Sequence, residues 1–162
     1  MKNLLLIMML AIGLSANWEY RDNIDRMSGE TTKRASLDSD NKTFLRYPYD
    51  SAKSTIRLIE NKEIGTILGI SISDGLMGEV KDYGKLRVKF DDELAMSISG
   101  KYTKNSFLIN DNATRDTFIE KLKNAKKVLI EIHIYNNGNS IFEFSPYGLE
   151  WSNEQNNIQN TK

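Results

Sequence analysis

The chain has 162 residues with 22 basic and 22 acidic side chains, one histidine and no cysteine, and 40% of its residues are hydrophobic. Balanced charge leaves no global electrostatic footprint for nucleic acid or an anionic membrane. Without cysteine there is no thiol nucleophile, thiolate zinc site, iron–sulfur cluster or disulfide framework, and one histidine excludes a multi-histidine metal site within the chain.

Lys2 precedes Leu4 to Leu14, a run of eleven residues without a polar side chain, and Ser15-Ala16 follows with small residues. A charged start, an apolar stretch and a small-residue cut site predict a signal peptide over 1–16. The run is too short for a lasting anchor, since a spanning helix needs about 20 apolar residues. The mature chain is then expected in the periplasm or outside the cell, with no stable membrane anchor after cleavage.

Trp18–Arg21 and Thr32–Leu37 are strand candidates, and Tyr47-Pro48-Tyr49-Asp50 reads as a turn or an extended entry, because proline blocks a helix and cannot donate to a central ladder. Thr55–Ile59 is strand-like. Ile64–Ser73 alternates Leu68, Ile70 and Ile72 with Gly69, Ser71 and Ser73. Asp74-Gly75 opens a glycine-rich loop that runs to Gly84 with room for one short pairing. Lys85–Phe90 alternates cleanly, with Leu86, Val88 and Phe90 inward. Short strands over Leu94–Ser99 and Ser106–Ile109 follow.

Asp111 or Asn112 can cap a helix to Asn124, with Phe118, Ile119, Leu122 and Ala125 as its apolar stripe and lysines at its far end. Lys127–Tyr135 is the strongest strand, with Val128, Ile130, Ile132 and Ile134 on one face and Leu129, Glu131, His133 and Tyr135 on the other. Asn136–Asn139 supplies turn chemistry for a hairpin returning through Ile141–Phe144. The expected fold is mainly β (α+β): an antiparallel sheet or sandwich of several short strands with one packed helix near 112–124. It forms a single domain over 17–151, and residues 152–162 form a polar, disordered tail.

Candidate chemistry is sparse. Glu131, His133 and Tyr135 put an acid, an imidazole and a phenol in a row on one strand face, roughly 7 Å per step. They are the candidates for general acid–base work, against the plainer reading of a wet sheet face. The carboxylates Asp91-Asp92-Glu93, and Asp38 and Asp40 beside Asn41, lack the ligand spacing of a calcium loop and read as charged turns. Ser99-Gly100 is not a nucleophile elbow, and Gly100-Lys101 is not a phosphate loop. No cofactor or metal is expected. The aromatics Trp18, Tyr20, Tyr47, Tyr49 and Trp151 are the candidate ligand or partner surface, with core or edge packing as the alternative.

Trp18, the run Asp25-Arg26-Met27-Ser28-Gly29, the strand Arg87-Val88-Lys89-Phe90-Asp91, Phe107-Leu108-Ile109 before the helix, and Phe142 and Phe144 leading into Gly148-Leu149 carry a resemblance. Over most of the mature domain their order resembles small exported proteins of bacteria and phages, of which the TagO/VasI type associated with type VI secretion is a named example. The resemblance implies a periplasmic β-rich accessory or binding protein. No catalytic motif defines that family, so no functional residue carries over.

The residue set points away from an enzyme and towards an exported binding or accessory protein whose partner is another envelope protein. An inhibitor, a secretion accessory and a phage-exclusion factor all fit that description. The alternatives are an envelope hydrolase using His133 with a nearby carboxylate, and a carbohydrate-binding module.

Overall fold

The computed structural model describes residues 17–78 and 83–152; the expected signal peptide, and the expected tail apart from Ser152, lie outside the described residues. In chain order the elements are β1 (Glu19–Ile24), β2 (Thr31–Asp38), β3 (Thr43–Phe44), β4 (Ser51–Ala52), β5 (Ser54–Asn61), β6 (Gly65–Ile72), β7 (Tyr83–Phe90), β8 (Met96–Tyr102), β9 (Ser106–Ile109), α1 (Asn112–Asn124), β10 (Val128–Ile134) and β11 (Gly138–Phe144). Among the described residues nine strands form one antiparallel sheet in the order β1-β2-β5-β6-β9-β8-β7-β10-β11, and β3 pairs with β4 separately. The described residues are thus mainly β with one helix, as the patterning predicts.

The strand expected from Leu94 instead begins at Met96. Asp91 to Leu94 form the β7–β8 turn, with Asp91 at φ 43° and Leu94 93% exposed. Asp91 explains this: its Oδ1 accepts the Lys126 and Lys127 amides at 3.0 and 2.8 Å, and its own amide donates to the Lys127 carbonyl. The turn is pinned to the segment joining α1 to β10. The β3–β4 ladder was not foreseen, because two residues per strand give no measurable period.

Period-two patterning sets the core. Ala35 and Leu37, Ile56 and Leu58, Leu68 and Ile70, Leu86 and Val88, Phe107 and Ile109, Val128 to Ile134 at alternate positions, and Phe142 and Phe144 are all buried in one cluster. Each such aliphatic or aromatic side chain contributes about 1.5–3 kcal/mol on burial. A flat sheet cannot gather all of these residues into one cluster, so the sheet curls.

β2 and the chain that continues it close the curl. Past Asp38 the chain crosses to the outer edge of β11, where the Asp40 amide donates to the Glu143 carbonyl at 2.8 Å. Asn41 then imitates a strand residue with its side chain: Nδ2 donates to the Ile141 carbonyl at 2.9 Å and Oδ1 accepts the Glu143 amide at 2.8 Å. The ring of strands is thereby barrel-like, and the start of β1 meets the segment that follows β11. There Trp18 Nε1 donates to the Pro146 carbonyl at 2.7 Å.

The helix covers one end of the ring. Asp111 caps it, accepting the Thr114 amide at 2.7 Å, and Phe118, Ile119 and Leu122 face inward. Phe118 meets Phe90 edge to face, with ring centroids 5.2 Å apart. At the other end Met77 is buried in the same core. No helix among the described residues is long and apolar enough to cross a membrane.

Candidate functional site

β7 and β10 pair over only four positions, from Val128 opposite Phe90 to Glu131 opposite Arg87. Beyond that point the Leu76–Gly78 segment takes over the β10 edge. Met77 bridges Ile134, the Gly78 amide donates to the His133 carbonyl at 2.7 Å and the Tyr135 amide to the Leu76 carbonyl at 2.9 Å. β7 continues to Tyr83 along β8. The two strands therefore splay, and a cleft of about 360 Å³ opens between them, lined by Gly78, Tyr83, Gly84, Lys85, Tyr102, His133 and Asn139.

Tyr102 closes the back of the cleft. Its hydroxyl donates to the Lys85 carbonyl at 3.1 Å, and its ring packs edge to face on Phe107. Two glycines make room for that ring. A Cβ at Gly84 would stand 2.3 Å from Tyr102 Cε2, and one at Gly78, where φ is +82°, would stand 2.8 Å from Cδ1. Any side chain at Gly84 would push the ring out of its seat.

Hydrogen bonds from behind orient His133. Asn139 is directly opposite on β11, and its Oδ1 lies 2.9 Å from His133 Nδ1. Asn139 Nδ2 donates to Glu131 Oε1 at 3.4 Å, and Arg87 Nη1 binds both Glu131 oxygens at 3.3 Å. An ionised carboxylate only accepts, so Glu131 must face the amide nitrogen. That turns Asn139 Oδ1 towards the imidazole and assigns the proton to Nδ1. In the neutral ring Nε2 is then the acceptor, and it has no partner among the described residues.

The three candidates on this strand face consequently separate. His133 lines the cleft and Glu131 supports it from behind through Asn139. Tyr135, 49% exposed, lies past the Leu76–Gly78 crossing and does not line the cleft.

No family model, curated protein or solved structure matches the chain. The site therefore rests on this geometry alone.

The candidate aromatics divide between two places. Trp18, 6% exposed, belongs to the core, and Trp151 packs partly buried against it. Tyr20 accepts the Glu150 amide at 2.8 Å, so Trp18 and Tyr20 both fasten the segment after β11. Tyr47 and Tyr49 sit in the β3–β4 turn, with Tyr47 96% exposed. That turn lies against Asn137, whose Oδ1 accepts the Arg46 amide at 3.2 Å.

The carboxylate clusters are engaged in structure. Glu93 pairs with Lys121, Asp38 accepts the Thr55 hydroxyl at 2.7 Å, and Asp40 accepts the Ser145 hydroxyl at 2.8 Å. Among the described residues no three His, Asp or Glu side chains converge as metal ligands. Lys85, Tyr83, Tyr102 and Gly78 escaped the sequence reading, because a cleft formed by splayed strands has no local pattern. Gly84 carried the available signal, since a glycine inside an alternating strand marks a close approach.

Proposed function

We propose that this chain is an exported, non-enzymatic binding protein of the bacterial envelope, and that the cleft between β7 and β10 is where it takes its ligand. The observation that carries this is the setting of His133: its Nδ1 is held by Asn139, which Glu131 and Arg87 hold in turn, and the residue lines a cleft whose back Tyr102 already closes. Ligand sites are concave and largely pre-formed, with polar groups that fix orientation, and Lys85, His133 and Asn139 are such groups here. Export is supported by Lys2, the apolar run Leu4 to Leu14 and Ser15-Ala16, and the TagO/VasI resemblance favours the same compartment.

Two measurements test the proposal. A C-terminally tagged chain expressed in a bacterium should fractionate outside the cytoplasm with a mature terminus near Asn17. Recovery of the full-length chain from the cytoplasm alone would refute export. Envelope extract added to the isotopically labelled mature chain should shift the backbone amides of Gly78, Gly84, Lys85 and Asn139, and shifts confined to other surfaces would refute the cleft.

A hydrolase is the second reading, favoured by the same free Nε2, which is the form of imidazole a general base needs. It requires turnover of an ester or glycoside probe that His133→Gln abolishes.

A further inference from the structure

We infer that the cleft recognises an acidic sugar: a carboxylate held at Lys85 and a neighbouring hydroxyl held at His133. The inference rests on the cleft reading above and adds the ligand's chemistry. Lys85 and His133 are both outer-face residues, two steps beyond the last β7–β10 pair, Arg87 opposite Glu131. Had the ladder continued they would be cross-strand neighbours. The splay separates them across the cleft instead.

The Lys85 ammonium has no partner among the described residues and offers donors only. Among the described residues no carboxylate lines the cleft, and Glu131, on the same strand face as His133, is already held by Arg87 and Asn139. The positive charge on that wall is thus uncompensated among the described residues, and an anionic oxygen of a ligand satisfies it.

The opposite wall asks for the reverse. His133 Nε2 is an acceptor in the tautomer that Asn139 imposes, so the ligand needs a donor there. A simple anion such as acetate or phosphate meets the first wall and offers the second nothing. A neutral sugar meets the second and leaves Lys85 unpaired. A hexuronate carries a carboxylate and hydroxyls on one ring, and a cleft of about 360 Å³ holds a ring of that size. The Tyr83 hydroxyl, also without a partner among the described residues, can donate to or accept from a further ring hydroxyl.

The labelled mature chain is titrated with glucuronate, glucose and acetate while the backbone amides are followed by NMR. Glucuronate should shift Gly78, Gly84, Lys85 and Asn139 saturably, and bind about tenfold or more tighter than either control, as one charge-assisted hydrogen bond implies. Lys85→Met and His133→Phe should each weaken glucuronate about tenfold, with amides outside the cleft unmoved, whereas the distant Lys62→Met should change nothing. Equal binding of glucose and glucuronate, or indifference to Lys85→Met, would overturn the acidic-sugar assignment. If glucuronate leaves the cleft amides still while envelope extract shifts them, the ligand class is wrong and the cleft stands. If neither shifts them, both fall.

Discussion

The closure of the strand ring can be tested at Asn41. Its side chain makes two hydrogen bonds to β11, to the Ile141 carbonyl and from the Glu143 amide, and Asn41→Ala removes both. A hydrogen bond contributes about 0.5–1.5 kcal/mol net, and the exposed position lets water replace part of each, so the loss should be about 1–2 kcal/mol. For a domain of this size that lowers the melting temperature by roughly 2–8 °C. Native-state hydrogen exchange localises the effect. The Glu143 amide should lose protection in the variant while amides of the β10–β11 ladder keep theirs, because Asn41 touches only the outer edge of β11. Asn41→Asp separates the two bonds: an acceptor remains for Glu143, and a carboxylate faces the Ile141 carbonyl. It should protect the Glu143 amide and still lose stability. Unchanged stability and unchanged Glu143 exchange in Asn41→Ala would show that the sheet does not depend on this contact for closure.

Two further outcomes follow from contacts already described. Gly84→Ala should displace the Tyr102 ring, since the new Cβ would stand 2.3 Å from it. Near-ultraviolet circular dichroism and the Tyr102 ring resonances should change, with a loss of about 1–3 kcal/mol for overpacking, and unaltered Tyr102 resonances would show that the ring is not seated between the glycines. Hydrogen bonds from the Thr114 side chain and amide hold the Asp111 carboxyl below its ordinary value of 3.8. A carboxyl depressed in the folded state adds stability above the unfolded value, and that stability is lost as pH falls through the folded value. Asp111→Asn should therefore flatten the acid side of the urea-midpoint curve below about pH 4, and an acid slope identical to that of the unsubstituted chain would refute the assignment.

Much of the fold is legible because its cause is local. Val128, Ile130, Ile132 and Ile134 face one way by the pleat alone, and each is buried. Asp111 announces the helix start through its own side chain, and the turn at Asn136 takes the left-handed φ of 60° that its neighbours suggest. What was not legible depends on partners distant in sequence. Asn41 reads as a polar turn residue, and its role exists only because β11, a hundred residues later, is folded against it. Trp18 and Tyr20 read as a possible surface because nothing nearby covers them, yet residues 146–150 take their polar atoms. Glu131, His133 and Tyr135 share a face as the period requires, but the Leu76–Gly78 crossing that divides them has no counterpart in that strand's own sequence.

The cleft is also where this chain departs from the rules it keeps elsewhere. Pairs such as β10–β11, β5–β6 and β7–β8 run nearly the length of the shorter partner, while β7 and β10 part after four positions and β8 and β9 after two. Gly84 gives up the packing a side chain would supply in mid-sheet, and Gly78 adopts a backbone that other residues rarely adopt. The chain's one histidine lines this opening, held by Asn139, which Glu131 and Arg87 hold in turn. Each departure costs stability or ordering entropy, which the seating of Tyr102 against the core by the two glycines offsets in part. Local conflicts gathered round an opening are expected where function opposes stability. That convergence, more than any single residue in it, makes the β7–β10 cleft the place to look for the ligand.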